Sequence, residues 1–149
     1  MAYVKNQEFI INLFSEYQKI NNNSKLMIVG DGPLKEKLET LAKKLKILKN
    51  VIFVGSVSNV EDYYNIFDVF LFSSFNEGLG ICVLEALSNG LTCISNEKLP
   101  VIEDTIRVKL DINEWLKALN TLNFERNNYN LNRYNIDSFI NKIDNIYKG

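Results

Sequence analysis

Four short apolar runs, each stopped by glycine or serine and set apart by helix-like stretches, constrain this chain more than any other feature. Lys25-Leu26-Met27-Ile28-Val29 halts at Gly30-Asp31-Gly32-Pro33, and Val51-Ile52-Phe53-Val54 halts at Gly55. Val69 to Ser73 and Leu91 to Ser95 repeat the pattern. Such runs are too short for ordinary helices, and their unbroken apolarity suits strands covered on both faces of a parallel sheet. Between them the apolar residues recur at helical spacing. Phe9, Ile10, Leu13, Phe14 and Tyr17 mark a first helix ending near Asn21-Asn22-Asn23. A second runs from Pro33 to about Leu45 with Leu34, Leu38, Leu41 and Leu45 on one face; Val60 to Ile66 and Ile81 to Asn89 follow. Strand–helix alternation with short connections predicts an α/β fold built on an open parallel sheet with helices on both faces. Beyond Pro100 the reading is a last strand over Ile106 to Leu110 and helices over Glu114 to Leu122 and Ile136 to Tyr147. The six asparagines between Asn123 and Asn135 read as a polar connector.

Size and charge narrow the function. The chain's 149 residues, 46% of them hydrophobic, suit a single domain, 1–149, with one core. Seventeen basic against eighteen acidic residues leave a net charge of −1, so no overall positive field recruits nucleic acid. The longest apolar stretches fall well short of the roughly 20 residues that a membrane span needs. Met1-Ala2-Tyr3-Val4-Lys5-Asn6 also lacks the apolar centre of a secretion signal. A cytoplasmic protein with no nucleic-acid partner and no membrane span is expected. Cys82 and Cys93 lie in apolar surroundings with no histidine anywhere in the chain, and read as buried free thiols without a metal. The missing histidine also removes the commonest general base, leaving a carboxylate or a group on another polypeptide segment.

In an open parallel sheet, ligands bind beyond the carboxyl ends of the strands. Three connections there are glycine-rich: Gly30-Asp31-Gly32, Gly55-Ser56-Val57 and Glu77-Gly78-Leu79-Gly80. Glycine allows close backbone approach, and a helix start offers free N–H groups with about half a positive charge, so phosphate suits these loops. Plain turn chemistry is the leading explanation of these loops taken alone, since none is a dinucleotide or phosphate-loop fingerprint. Glu77 and Glu85 say more as a pair. One precedes the predicted helix and the other lies inside it, with bare amides between them. A carboxylate accepts two hydroxyl hydrogen bonds, which fits the vicinal diols of a ribose or hexose. On spacing alone, the alternative is a carboxylate that favours the helix start beside a solvated one.

The segment Phe75-Asn76-Glu77-Gly78-Leu79-Gly80-Ile81-Cys82-Val83-Leu84-Glu85-Ala86-Leu87-Ser88-Asn89-Gly90 resembles the E-x7-E segment of family 4 glycosyltransferases of the GT-B type. Met27 to Pro33, Val51 to Gly55 and Asp68 to Ser74 resemble the strand motifs that precede it, in the same order. The likeness covers roughly residues 5 to 100, and the tail is loosely similar to members of capsular or exopolysaccharide synthesis. It implies a Rossmann-like domain, the C-terminal half of a GT-B fold, that binds a nucleotide-diphospho-sugar, with UDP the preferred base. Carried over by position, Glu77 is expected to meet the donor sugar as the catalytic carboxylate and Glu85 the ribose hydroxyls. The amides of Gly78, Leu79, Gly80 and Ile81 are expected at the diphosphate or hexose, Val57 at the base, and Gly30 and Gly32 on the phosphate side. The resemblance implies no metal and no further cofactor. It also implies transfer with retention to a polysaccharide or lipid-linked glycan.

The departures are as informative. The family opens this domain with a strand, a Gly-Arg turn and a downstream lysine, and those two cations grip the diphosphate. Here Lys5 can match the lysine, but the first arginine is Arg107. The first strand and the acceptor-binding N-terminal domain are expected to be absent, as in a truncated or split gene product that binds nucleotide weakly and does not turn over. The full-length enzyme could be peripheral to a membrane. Two other readings stand beside this one: a non-catalytic module docking on a partner glycosyltransferase subunit, and a doubly wound signalling domain, for which only Asp31 and Asp68 supply strand-end acids. Lys35, Lys37, Lys43, Lys44, Lys46 and Lys49 read as a solvated helix face, and Phe67, Phe70, Phe72, Phe75 and Trp115 as core. Ser73 and Ser74 lack the setting of a nucleophile.

Overall fold

The computed structural model describes residues 3–78 and 80–127. The expected helix over Ile136 to Tyr147 and the later part of the asparagine-rich connector lie outside the described residues. After a 3-10 turn, Tyr3–Lys5, the chain runs α1 (Gln7–Ile20), β1 (Leu26–Val29), α2 (Lys35–Lys44) and β2 (Val51–Gly55). It continues with α3 (Glu61–Ile66), β3 (Val69–Phe72), α4 (Ile81–Ser88), β4 (Thr92–Asn96), β5 (Thr105–Val108) and α5 (Ile112–Asn120). Among the described residues the strands pair in parallel, β1 with β2, β3 with β4, and β4 with β5, and an isolated antiparallel bridge joins Gly30 and Gly55.

The four apolar runs are thus strands; β3 and β4 feed a core on each face, whereas Ile52 of β2 is 42% exposed. Along β3 the side chains alternate: Val69 and Leu71 join Trp115 and the α1 residues Ile10, Ile11, Leu13 and Phe14. Phe70 and Phe72 join Tyr64 of α3 and Val83, Ala86 and Leu87 of α4. The next strand repeats the division, with Ile94 in the first cluster and Cys93 in the second. Successive strand residues point to opposite faces, so helices α1, α2 and α5 cover one side and α3 and α4 the other. Trp115 is wholly buried, edge-on to Phe9 at 5.2 Å, with its indole N–H donating to the Lys109 carbonyl at 2.7 Å.

Four expectations change. Helix α2 starts at Lys35 rather than Pro33, because Pro33 and Leu34 complete a turn closed by the Lys35 N–H on the Gly32 carbonyl at 3.1 Å. Strand β5 ends at Val108, before Leu110, where the Asp111 N–H turns back to the Lys109 carbonyl at 2.7 Å. Helix α5 starts two residues early because the Asp111 carboxylate accepts from the Asn113 and Glu114 amides, an N-cap. Phe75 is not core: it is 45% exposed and lies against the ring of Tyr3.

The back of the α3–α4 layer is tied by residues of the connector. Arg126 donates to the carbonyls of Tyr64, Asn65, Phe67 and Asn89, a cation placed on the carbonyl ends of two helices. The neighbouring Asn127 N–H donates to the Gly90 carbonyl at 2.8 Å. Gly90 has φ +75°, and an added Cβ would sit 2.6 Å from the Asn127 carbonyl oxygen. Gly90→Ala is therefore expected to cost about 1–2 kcal/mol of stability for the left-handed backbone alone, read as a lower urea midpoint. An unchanged midpoint would show that the turn rearranges freely.

Candidate functional site

The carboxyl ends of β3 and β4 and the start of α4 converge on Glu77. Its Oε1 accepts from the Ser74 hydroxyl at 3.0 Å and from the Lys5 ammonium, which also lies 5.9 Å from the Phe72 ring centre. The Glu77 side chain is only 17% exposed, so the ion pair is partly shielded from water. Ser74 is itself buried, and its backbone carbonyl accepts from the Asn96 amide at 2.9 Å. Asn96 is the last residue of β4 and is also buried. The strand end thus holds the serine, and the serine holds the carboxylate.

Glu85 is held by a different element. The Tyr64 hydroxyl lies 3.0 Å from Glu85 Oε2 and 3.2 Å from the Cys82 carbonyl, so its proton serves one of two acceptors. Burial, and next the hydrogen bond to Glu85, raise the Tyr64 phenol so far that it keeps its proton throughout the working pH range. Between the two glutamates, Gly80 caps α4 in the left-handed region (φ 66°) and no side chain caps the helix. The first-turn amides of α4 therefore face the loop without a competing side-chain acceptor. At Gly80 an added Cβ would meet the Ile102 side chain at 3.2 Å, so glycine suits both the backbone and the space.

The expected residues are brought together unequally. Lys5, Glu77, Gly78, Gly80 and the exposed Ile81 gather at the start of α4. Glu85 and Gly30 line a larger cleft that Lys5 also borders. Gly32 and Val57 are not among the residues lining either cavity. The Gly30 N–H donates to the Gly55 carbonyl at 2.8 Å and the Gly32 N–H to the Asp31 carboxylate at 2.7 Å, so both amides are engaged within the chain. Leu79 lies outside the described residues. Ser74, Tyr64 and Asn96 escaped the sequence reading. Ser74 carried a weak signal, three residues before Glu77; Tyr64 and Asn96 carried none, since only folding brings them to the site.

Against this geometry the comparisons with known proteins are specific. The chain belongs to the group 1 glycosyl transferases, whose family pattern matches residues 1–148. A Bacillus subtilis protein named for glycosyltransferase activity, EpsF, is 33% identical over 108 residues, covering 72% of this chain and 26% of its own. The alpha-monoglucosyldiacylglycerol synthase of Streptococcus pneumoniae is 31% identical over 112 residues, covering 74% of this chain and 25% of its own. Among solved structures, the pneumococcal O-GlcNAc transferase GtfA, crystallised with UDP and GlcNAc, superposes with a TM-score of 0.63 at 22% identity. That match covers 67% of this chain and 19% of GtfA. The fold is that of the C-terminal half of GT-B enzymes, and the chain spans about a quarter of the length of the curated relatives it matches. Among the described residues no helix is long and apolar enough to cross a membrane.

Two expectations follow from the environment of the site. Ser74→Ala removes the Glu77 donor but leaves the Asn96 bond to the residue 74 carbonyl, so it should cost about 1 kcal/mol of stability. Asn96→Ala strands a buried carbonyl and should cost more, about 1–3 kcal/mol, measured by urea unfolding. Equal effects would deny the serine–asparagine order. The thiols behave alike in direction: burial raises both, to about 12 for Cys93, with Lys5 opposing the rise at Cys82. A raised thiol favours the protonated folded form, so stability is whole below the ordinary thiol value near 9 and falls as pH climbs towards 12. Cys93→Ala should flatten that alkaline loss; an unchanged pH profile would show that Cys93 is not its source.

Proposed function

We propose that this chain is the donor-binding domain of a glycosyltransferase that takes a sugar from a nucleotide-diphospho-sugar, UDP-linked, and transfers it with retention to a polysaccharide or lipid-linked glycan. One observation carries the reading: an uncapped helix start at the carboxyl ends of parallel strands, flanked by two carboxylates that are each held by a buried or proton-retaining hydroxyl. Glu77, pinned by Ser74, orients the hydroxyls of the donor sugar, and Glu85, pinned by Tyr64, accepts from the ribose. The amides of Gly78, Leu79, Gly80 and Ile81 and the Lys5 ammonium meet the diphosphate, with Gly30 and Gly32 on its far side and Val57 at the base. Bond cleavage at the anomeric carbon places negative charge on the β-phosphate, and the α4 dipole with Lys5 stabilises that charge as it forms. Lys5 must leave Glu77, or bridge it, when the donor enters.

The relatives support the reading by name, and the UDP-bound fold of GtfA supports the choice of base. The acceptor is held by a second domain outside these residues, and the complete enzyme works in the cytoplasm, peripheral to the membrane that carries a lipid-linked acceptor. Without that domain the chain binds donor and does not turn over. The competing reading, a non-catalytic module docking on a glycosyltransferase subunit, requires no nucleotide binding.

Calorimetric titration with UDP, GDP, ADP and their sugars separates the two. UDP binding that weakens about tenfold or more in Glu85→Ala is expected, a loss of about 1.4 kcal/mol. Glu77→Ala should leave UDP affinity near its parent value and erase the added affinity of the sugar. No heat from any nucleotide would remove the donor site.

A further inference from the structure

Helix α3 has six residues, and of these Tyr64 alone is buried. A helix of less than two turns is not stable by itself, so what surrounds α3 sets where the Tyr64 hydroxyl lies. That hydroxyl stands between two acceptors, Glu85 Oε2 at 3.0 Å and the Cys82 carbonyl at 3.2 Å, with one proton for the two. A small slide of α3 along α4 hands the proton from the carboxylate to the carbonyl, and Glu85 then loses its anchor.

Arg126 opposes that slide. Its Nη2 lies 2.9, 2.8 and 2.8 Å from the carbonyl oxygens of Tyr64, Asn65 and Phe67, and its Nη1 donates to the Asn89 carbonyl at 3.0 Å. The first three carbonyls close the carboxyl end of α3, and Asn89 caps the carboxyl end of α4. A planar guanidinium carries its donors in a fixed fork, so one side chain sets the spacing of the two helix ends. Asn89 in turn donates from its N–H at 3.2 Å and from Nδ2 at 2.9 Å to the Glu85 carbonyl. These contacts close a ring, from Arg126 to Tyr64, from Tyr64 to Glu85, from Glu85 to Asn89 and back to Arg126. The stretch that carries Arg126 is itself fastened, since Asn127 donates its N–H to the Gly90 carbonyl at 2.8 Å and Nδ2 to the Thr92 hydroxyl at 3.1 Å.

We infer that Arg126 is a positioning residue for Glu85: by locking the carboxyl ends of α3 and α4 together, it keeps the Tyr64 hydroxyl on the carboxylate. Arg126 is not among the residues lining the cleft that Glu85 borders, so it acts through Tyr64 and Asn89 and not on a ligand. Its effect on nucleotide affinity rests on the reading of Glu85 as the ribose-binding carboxylate; the ring itself stands without that reading.

Tyr64 reports on the ring directly. With the tyrosines labelled with carbon-13 at Cζ, its signal is identified by its loss in Tyr64→Phe, and Glu85→Ala gives its position without the carboxylate. Arg126→Ala should move the signal towards that position. Arg126→Lys, which keeps the cation at the helix ends but not the fork, should move it less, and it serves where the alanine variant does not fold. A signal unmoved in every variant that folds would overturn the inference. Calorimetric titration with UDP is the second readout. Arg126→Ala should weaken UDP binding about threefold or more in the parent background and less than about twofold in Tyr64→Phe, because residues acting through one contact are not additive. Equal losses in the two backgrounds would make Arg126 a helix-end cap and nothing more, and so overturn its positioning role. No heat from UDP with the parent protein removes the donor site instead, and the Tyr64 signal alone then decides the ring.

Discussion

Two-sided burial of short parallel strands is the constraint from which the rest of this structure descends. A strand of four or five residues has too little ladder to stand alone, so β3 and β4 depend on neighbours in the sheet and on helices above and below. The alternation of Val69 and Leu71 against Phe70 and Phe72 assigns each residue to one of two cores. A one-residue slip of register would exchange the cores wholesale. That sensitivity keeps the carboxyl ends of β3 and β4 in step, with Phe72 opposite Ser95. Everything at the site is hung from those ends.

The site's electrostatics are built on this rigidity. A carboxylate at the end of a glutamate side chain wanders among rotamers unless it is held, and side-chain entropy opposes fixing it. Here Glu77 is anchored through Ser74 to the end of β4, and Glu85 through Tyr64 to α3. The two anchors come from neighbouring stretches of the chain, α3 and the end of β3, and the uncapped helix start lies between the glutamates they hold. Lys5 offsets part of the charge at Glu77.

Much of the fold was legible because its signals are local. Glycine after an apolar run, leucines at helical spacing and the paired glutamates are all read within a window of a few residues. The differences have physical causes of the same local kind: the Asp111 cap moved the start of α5, and the turn at Gly32 delayed α2. Phe75 shows the limit of composition, since an aromatic near a strand end belongs to the core only if the chain beyond it turns inward.

Amino-acid order by itself determined the alternation of strands and helices, the glycines that close β1 and β2, and the placing of two carboxylates around one helix start, because each depends on nearest neighbours along the chain. Tertiary structure decided what depends on distant ones. It chose Ser74 and Tyr64 as the groups that hold those carboxylates, brought Arg126 to four carbonyls of another layer, and left the sheet divided between β1 and β3. A hydrogen bond across 21 residues leaves no periodic trace in a sequence. It exists only once burial has made water unavailable as the alternative partner.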